Sequence, residues 1–293
     1  WAGYCADPEG FLSTLPVAFD GSCSGLQHYS AMFRDEIGGY EVNLVPGHDR
    51  QDIYASVLGS VVRALNELSD SGDEDAAKWL SSGFLSRTLM KPPTMTYVYA
   101  STVAGMTDQI MGEIKDAGGD VFAKDKLRSA CRYLAGITFA EIEKTVVKAA
   151  EGRDWLKGCV SGKKEAAQWT TPDGLPVVQK YKVRKTSRPN IMVNGQNLRP
   201  QYTVPTDAVD TRKMASAIAP NVIHSLDATH IRMVAIAAPQ WQIHSLAMIH
   251  DSFGCLAGDA GRFFNIIREQ FIELYGTDVA EKLNEELSGG SVE

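Results

Sequence analysis

The sequence predicts an α+β fold, with strands towards its two ends and mostly helices between them. Apolar runs of strand length occur at residues 15–19 and 245–249, and each is followed by a polar residue. Apolar residues recur at helical spacing through much of the intervening chain, and turn dipeptides interrupt the stretch from 168 to 202. These three observations indicate a mixed architecture.

The first predicted strand covers Leu15–Phe19 and holds Asp20 at its tip. Ser24 is the predicted N-cap of the next helix, where apolar residues recur from Leu26 to Phe33. Further helices are predicted over residues 50–68, 86–100, 121–150 and 208–237.

Turn signals define the remaining elements. Pro172-Asp173-Gly174 and Asn194-Gly195 predict turns between short extended pieces. Ser245–Ile249 and Phe253–Leu256 predict two strands joined by a tight turn, with Asp251 at the bend. Asp20 and Asp251 are therefore both expected at strand ends, on rigid backbone.

The composition is that of an ordinary globular protein of about two domains, or of one large unit with an insertion. Of 293 residues, 44% are apolar and 22% charged, which excludes a disordered, collagenous or coiled-coil chain. Five cysteines form no Cys-x-x-Cys pair, so reduced thiols in a cytosolic compartment are expected. The apolar runs are far too short to cross a membrane, and no membrane partner is expected.

The charge is unevenly distributed. The net charge of −7 argues against a nucleic-acid binder, because such domains usually carry a basic surplus. Residues 157–213, however, hold eleven basic and four acidic side chains, which gives this segment a charge of +7 and leaves −14 on the remainder. The basic segment is therefore a candidate contact for a polyanion.

Asp20 and Asp251 are candidate metal ligands. Two carboxylates side by side repel each other unless cations lie between them. Mg²⁺ prefers such hard oxygen ligands together with substrate phosphates. Two ions roughly 3.5–4 Å apart can hold the attacking and leaving oxygens of a phosphoryl transfer. The alternative is that each aspartate only closes a turn.

A basic pair lies on a predicted helix. Arg87 and Lys91 stand four residues apart, with Tyr99 eight residues further on. Such cations can hold triphosphate oxygens and stabilise a leaving pyrophosphate, and a lysine can donate a proton. The alternative is a solvated helix face. Pro92-Pro93 follow directly, and we expect the helix to start or kink there, which would take the two cations off one face.

Three motifs that occur in a fixed order along the chain indicate a protein family more specifically than any one motif does. They are Asp20–His28 (DGSCSGLQH), Arg87–Tyr99 (RTLMKPPTMTYVY) and His250–Gly254 (HDSFG). In this order they resemble motifs A, B and C of the single-subunit, bacteriophage-type DNA-dependent RNA polymerases, the family that also serves mitochondria. The resemblance extends from about Val17 to Tyr275.

The resemblance implies a right-hand polymerase palm and fingers, mostly helical, with a small antiparallel palm sheet. Residues 1–48 would form the first part of the palm, residues 49–224 the fingers with a specificity hairpin at about 181–205, and residues 225–293 the second part of the palm. The N-terminal domain and thumb would be absent and the C-terminal end truncated. We therefore expect an isolated fragment that is inactive without the missing portion of the same polymerase.

The resemblance also implies residue roles. Asp20 and Asp251 would bind two Mg²⁺ ions, with the Gly21 carbonyl as a further ligand. Lys91 would be the catalytic proton donor to pyrophosphate, and Arg87 would share the grip on the triphosphate. The other substrate-binding positions would be Tyr54, Tyr99, His224, Gly25 and His250. Ala100, where the family commonly has glycine, is expected to be a mild change.

Two positions bear on the choice of RNA over DNA. Related DNA polymerases place a bulky glutamate five residues after the first metal-binding aspartate, where this chain has Gly25. They also end motif C in glutamate, where this chain has Ser252. Both differences favour ribonucleotides. There are two alternatives: a family A-like DNA polymerase, and a catalytically incomplete DNA-binding fragment of a split polymerase.

The specificity hairpin of this family enters the promoter major groove. Arginine can recognise guanine, and asparagine or glutamine can recognise adenine, through paired hydrogen bonds. The candidate DNA-binding residues of the hairpin are therefore Arg188, Asn190, Gln196 and Arg199. Phosphate contact without sequence readout is the alternative. The expected partners are template and promoter DNA, nascent RNA and ribonucleoside triphosphates. The expected reaction is templated nucleotidyl transfer to an RNA 3′-hydroxyl with pyrophosphate release, in the cytoplasm of an infected bacterial host rather than an organelle.

Overall fold

The structure, a computed structural model, describes residues 2–118, 122–123 and 125–289. In this part of the chain the helices are α1 Ala2–Ala6, α2 Ser24–Met32, α3 Glu36–Glu41, α4 Ile53–Asp70, α5 Glu74–Ser81, α6 Arg87–Tyr97, α7 Val103–Asp116, α8 Leu127–Thr145, α9 Val147–Val160, α10 Thr211–Ala237, α11 Ala260–Leu274 and α12 Val279–Ser288. The strands are β1 Pro16–Asp20, β2 Ala167–Thr170, β3 Pro176–Gln179, β4 Lys182–Ser187, β5 Ile191–Val193, β6 Gln196–Leu198, β7 Tyr202–Val209, β8 Leu246–Ile249 and β9 Ser252–Leu256.

One small antiparallel sheet joins the two ends of the chain. Its order is β1-β9-β8, and Asp20 at the end of β1 pairs with Ser252 at the start of β9. β8 and β9 form a tight hairpin whose turn is His250-Asp251. The predicted strands around Asp20 and Asp251 are confirmed, as is the mixed α+β class.

The middle strands form exposed hairpins. β2 pairs with β3 across the predicted turn at Asp173, and Arg232 of α10 donates to Asp173 Oδ1 at 2.8 Å, which fixes this turn on the helix. β4 pairs with β7 and β5 with β6, which gives one long hairpin. Its tip is Asn194-Gly195, and both residues have positive φ (51° and 77°), as a type I′ turn requires. Both predicted turns are confirmed.

Two apolar cores hold these elements together. The larger one packs helices from α2 to α10 and α12 around fully buried side chains such as Trp79, Tyr29 and Tyr97. The smaller one lies under the β1-β9-β8 sheet and joins Phe253 of β9, Phe263 of α11 and Val234 near the end of α10 in one buried cluster. No helix in the described ranges has the length and apolar character needed to span a lipid bilayer.

Two expectations about helix boundaries are wrong or incomplete. Ser24 does not cap α2: the N-cap position is Cys23, without a side-chain bond, and the Ser24 hydroxyl instead contacts Tyr99 and Asp227. One helix is expected over 121–150, but the structure has two, α8 from Leu127 and α9 from Val147, separated at Val146. Residue 121 itself lies outside the described residues.

The expected start or kink at Pro92-Pro93 is also corrected. α6 begins at Arg87, where Ser86 accepts a hydrogen bond from the Leu89 amide, and it continues through both prolines to Tyr97. Buried contacts of its inner face hold the helix in spite of the missing amide donors. Arg87 and Lys91 therefore belong to one helix and lie one turn apart, both exposed.

Candidate active site

Asp20 and Asp251 lie at the same edge of the β1-β9-β8 sheet. Asp20 pairs with Ser252, the residue directly after Asp251. The Gly21 amide donates to the Asp251 carbonyl oxygen at 3.2 Å, and a Cβ on Gly21 would lie 3.3 Å from Asp251 Oδ2. Regular backbone therefore brings Asp20 and Asp251 to one edge of the sheet, and solvent reaches both side chains.

A buried carboxylate, Asp227 of α10, organises the histidines beside this pair. His28 Nε2 lies 3.0 Å from Asp227 Oδ1, and His250 Nε2 lies 3.3 Å from Asp227 Oδ2. Burial by itself raises the pKa of Asp227, but the hydrogen bond and charge of His28, with the charge of His250, outweigh it and lower the pKa. His250 Nδ1 is also 3.0 Å from Asp251 Oδ1, so this histidine connects Asp227 to the candidate metal ligand.

Tyr99 fills the space beside Gly25. A Cβ on Gly25 would lie 2.6 Å from Val98 Cγ2 and 3.1 Å from the Tyr99 hydroxyl oxygen. The Tyr99 ring packs on His224 with centroids 4.6 Å apart, and His224 lies edge-on to His250 at 5.8 Å. Burial raises the pKa of the Tyr99 hydroxyl, so it is a neutral hydrogen-bonding group. The missing side chain at position 25 lets this hydroxyl approach the motif A backbone.

Arg87 is held at the start of α6 by two residues from the start of α4. Its Nε forms an ion pair with Asp52 Oδ2, and its guanidinium lies 5.1 Å from the centroid of the Tyr54 ring. Asp52 Oδ1 caps α4 by accepting from the amides of Tyr54 and Ala55. Burial raises the pKa of the Tyr54 hydroxyl, and the nearby thiol of Cys23 adds to the effect.

The structure thus brings residues of all three motifs to one site. Burial is the main cause of the raised pKa values of the Tyr54 and Tyr99 hydroxyls. The negative charge of Asp251 raises both pKa values further. The four candidate DNA-binding residues lie elsewhere, on the long exposed hairpin. All four are exposed, and they are Arg188, Asn190, Gln196 and Arg199.

Three residues of the site were missed from the sequence: Asp227, His28 and Asp52. Asp227 follows His224 by three positions and precedes His230 by three. This spacing on a predicted helix was a usable signal for a polar face. His28 had no such signal, because only the fold brings it to Asp227.

Comparisons with known proteins agree with the motif pattern. The sequence profile of a family described as DNA-dependent RNA polymerase matches residues 2–290. The chain is 36% identical to T7 RNA polymerase of Escherichia phage T7, over 94% of this chain and 36% of that protein. It is equally similar to DNA-directed RNA polymerase 2A of Nicotiana tabacum, over 96% of this chain and 85% of that protein. A third relative is DNA-directed RNA polymerase 1, mitochondrial, of Arabidopsis thaliana, 36% identical over 95% of this chain and 29% of that protein. The chain spans about a third of the length of the phage and mitochondrial relatives.

Proposed function

This chain belongs to the family of DNA-dependent RNA polymerases, and on that premise we propose that it is the catalytic region of such an enzyme. It would extend an RNA 3′ end on a DNA template with ribonucleoside triphosphates and release pyrophosphate. One observation carries the proposal: the Gly21–Asp251 backbone bond joins motifs A and C, which brings Asp20 and Asp251 to one edge of the sheet, and the charge of Asp251 acts on Tyr99.

The two carboxylates fit a pair of Mg²⁺ ions. Within the described ranges, neither Asp20 nor Asp251 forms an ion pair with lysine or arginine, so their oxygens are available to a cation; Asp251 contacts only His250 in this way. Hard carboxylate oxygens, with the Gly21 carbonyl, are the donors that Mg²⁺ prefers. When bound, the ions would favour in-line attack by stabilising the charge on the attacking and leaving oxygens.

Arg87 and Lys91 would bind the triphosphate from α6. Arg87 would exchange the Asp52 carboxylate for phosphate oxygens, since both are acceptors for the same guanidinium. Lys91 would hold the departing pyrophosphate and give it a proton. Both cations lie on α6, whose N-terminus is capped by Ser86.

The ribose would lie against the Tyr99–Gly25 contact. No side chain at Gly25 blocks a 2′-hydroxyl, and the Tyr99 hydroxyl is the polar group next to that position. Tyr54 and His224 would contact the sugar side of the nucleotide, and His250 would shape the primer end beside Asp251. This arrangement favours ribonucleotides over deoxyribonucleotides.

We further assign residues 1–48 and 225–293 to the palm and 49–224 to the fingers. The hairpin at about 181–205 would contact promoter DNA through Arg188, Asn190, Gln196 and Arg199. The remaining portion of the polymerase would supply the thumb and promoter-binding domain. The reaction would take place in the cytoplasm of an infected bacterial host.

Primer extension tests the proposal. The chain, alone and combined with the remaining portion of the polymerase, is given a primed DNA template with either ribo- or deoxyribonucleotides. We expect Mg²⁺-dependent, ribonucleotide-selective extension, abolished by Asp251→Asn and unaffected by Asp70→Asn, a matched change at an exposed residue outside the site. Preferential use of deoxyribonucleotides would indicate a DNA polymerase. DNA binding without extension would indicate a non-catalytic fragment, and activity in the Asp251→Asn variant would contradict the two-carboxylate assignment.

A further inference from the structure

A second cluster of ligand-type side chains lies next to the two carboxylates, on the side of Tyr99. His224, Asp227 and His250 each offer one ligand atom, and these atoms lie within 4.8 Å of one another. Asp227 is only 4% exposed, while both histidines are exposed. The cluster opens to solvent through the two rings, with the carboxylate at its base.

One oxygen of the Asp227 carboxylate, Oδ2, faces this cluster. Oδ1 is paired with His28 at 3.0 Å, but Oδ2 is buried and has no hydrogen-bond partner among the described residues. It faces His250 Nε2 at 3.3 Å. A buried carboxylate oxygen without a partner is costly, and a bound cation would satisfy it.

The spacing and chemistry match a late transition-metal ion. Two ligands of one tetrahedral zinc, each about 2.0–2.2 Å from the ion, are roughly 3.3–3.5 Å apart, which matches the 3.3 Å between His250 Nε2 and Asp227 Oδ2. His224 is exposed, and its ligand atom lies within 4.8 Å of those of Asp227 and His250. Two imidazoles and one carboxylate are zinc ligands rather than magnesium ligands.

The neighbours orient these ligands. The His250 tautomer that donates Nδ1–H to Asp251 Oδ1 leaves the Nε2 lone pair facing Asp227. His28 holds the Asp227 carboxylate on its other oxygen, and its own Nδ1 lies 2.6 Å from the Tyr275 hydroxyl. Outer hydrogen bonds of this kind fix ligand orientation in metal sites.

We propose that His224, Asp227 and His250 form a zinc-binding site, distinct from the Asp20–Asp251 pair. An ion there would link α10 to the β8–β9 turn and hold His224 against Tyr99. If the proposed function is correct, zinc bound at this site would cover the ribose side of the nucleotide position and inhibit extension. The site itself does not depend on that function.

Metal binding to the metal-stripped chain, without a histidine tag and without nucleotide, tests the proposal. The probes are Co²⁺, followed by its ligand-field absorption, and Zn²⁺ as competitor, in millimolar Mg²⁺. The Cys5→Ser background removes an exposed thiol. We expect one Co²⁺ per chain, displaced by Zn²⁺, with at least about tenfold weaker binding in His224→Ala and in His250→Ala. His244→Ala, a change at an exposed histidine outside the cluster, is expected to bind as the parent chain does.

Three results would overturn the site. They are the absence of a Co²⁺ spectrum at stoichiometric metal, unchanged affinity in His224→Ala, or loss of binding in Asp20→Asn with retention in both histidine variants. Circular dichroism of each variant confirms folding, which is expected because the two ligand histidines are exposed. Since no nucleotide is present, these results are independent of whether the chain polymerises RNA.

Discussion

The Tyr99 hydroxyl oxygen lies 3.1 Å from the point where a side chain at Gly25 would begin. Motif A and motif B therefore lie against each other at Gly25 and Tyr99, where the tyrosine hydroxyl occupies space that a side chain at position 25 would need. A larger residue at position 25 would have to displace both Val98 and Tyr99, since its Cβ would lie 2.6 Å from Val98 Cγ2 and 3.1 Å from the Tyr99 hydroxyl oxygen. Sugar selection is consequently expected to depend on both residues together.

Removing this hydroxyl should reduce the preference for ribonucleotides. In Tyr99→Phe the ring can still pack on His224, but one hydrogen-bonding group is removed. A neutral hydrogen bond contributes about 0.5–1.5 kcal/mol, so we expect the ratio of kcat/KM for ribo- over deoxyribonucleotides to fall roughly 2- to 12-fold. Single-nucleotide primer extension measures this ratio.

Tyr97→Phe is the matched control for that change. Tyr97 lies two residues earlier, and its hydroxyl donates to Glu143 Oε1 at 3.1 Å, away from Gly25. We expect its selectivity to be unchanged. Equal selectivity of Tyr99→Phe and the parent chain would remove the hydroxyl from sugar recognition.

Asp52 has two separable structural roles. One oxygen caps α4 and the other pairs with Arg87. Asp52→Asn keeps an acceptor for the cap and removes an exposed ion pair, which costs about 0–1 kcal/mol of unfolding free energy. Asp52→Ala also removes the cap, and we expect a further loss of about 1 kcal/mol.

Urea unfolding of the two Asp52 variants measures this difference. Asp73 gives a matched pair, because it caps α5 through the amides of Asp75 and Ala76. Asp73→Asn and Asp73→Ala should differ by a similar amount. If Asn and Ala are equivalent at position 52 but not at 73, the Asp52 cap does not stabilise α4.

The sequence predicted what local pattern determines and missed what the tertiary fold assembles. Short apolar runs located the strands that hold Asp20 and Asp251, because this signal acts over a few residues. The interpretation of Pro92-Pro93 failed because buried packing of α6 outweighs the local proline penalty. The pairing of His28 with Asp227 joins distant segments, and no local signal encodes it.

Ala100 is under backbone strain, which the sequence expectation of a mild change did not foresee. Its φ is 64°, in the left-handed region, three residues after α6 ends at Tyr97. That conformation costs an L-residue about 1–2 kcal/mol, partly offset in Ala100→Gly by the greater backbone entropy of an unfolded glycine. We expect Ala100→Gly to stabilise the chain by about 0.5–1 kcal/mol, measured by urea unfolding.

Ala104→Gly is the control with the opposite sign. Ala104 is an exposed residue in the first turn of α7, a right-handed helix, where glycine costs at most about 0.8–1 kcal/mol, its cost in a helix interior. A destabilising effect at both positions would show that the positive φ of Ala100 is not a source of strain in solution.

Binding of the basic hairpin to DNA should depend strongly on salt. Removing one cation that binds a phosphate lowers the slope of log K against log salt by about one. Arg188→Ala and Arg199→Ala each remove an exposed hairpin cation, so we expect smaller slopes in both. Arg63→Ala, an exposed arginine on α4, is expected to leave the slope unchanged. Fluorescence anisotropy with duplex DNA measures these slopes, and salt-independent binding would contradict a role for the hairpin in binding phosphates.

His230 should make the stability of the chain pH-dependent below neutrality. The ring is 7% exposed, with Nε2 2.8 Å from the Ile267 carbonyl oxygen, and burial lowers its pKa from 6.5 to about 4. Between these values the unfolded chain takes up a proton that the folded chain does not. The stabilising contribution is therefore complete above about pH 6.5 and is lost as the pH falls to about 4, a loss of order 3 kcal/mol.

Urea unfolding between pH 4 and pH 7 isolates this contribution when compared with His230→Gln. Glutamine can donate to the same carbonyl but does not titrate, so we expect a smaller loss of stability at low pH in this variant. His48→Gln is the matched control, because His48 is exposed and its replacement should leave the pH profile as it is in the parent chain. A buried neutral imidazole takes up a proton when the chain unfolds at low pH. If the free energy of unfolding depends on pH in the same way in the parent chain and in His230→Gln, His230 does not change its protonation on unfolding.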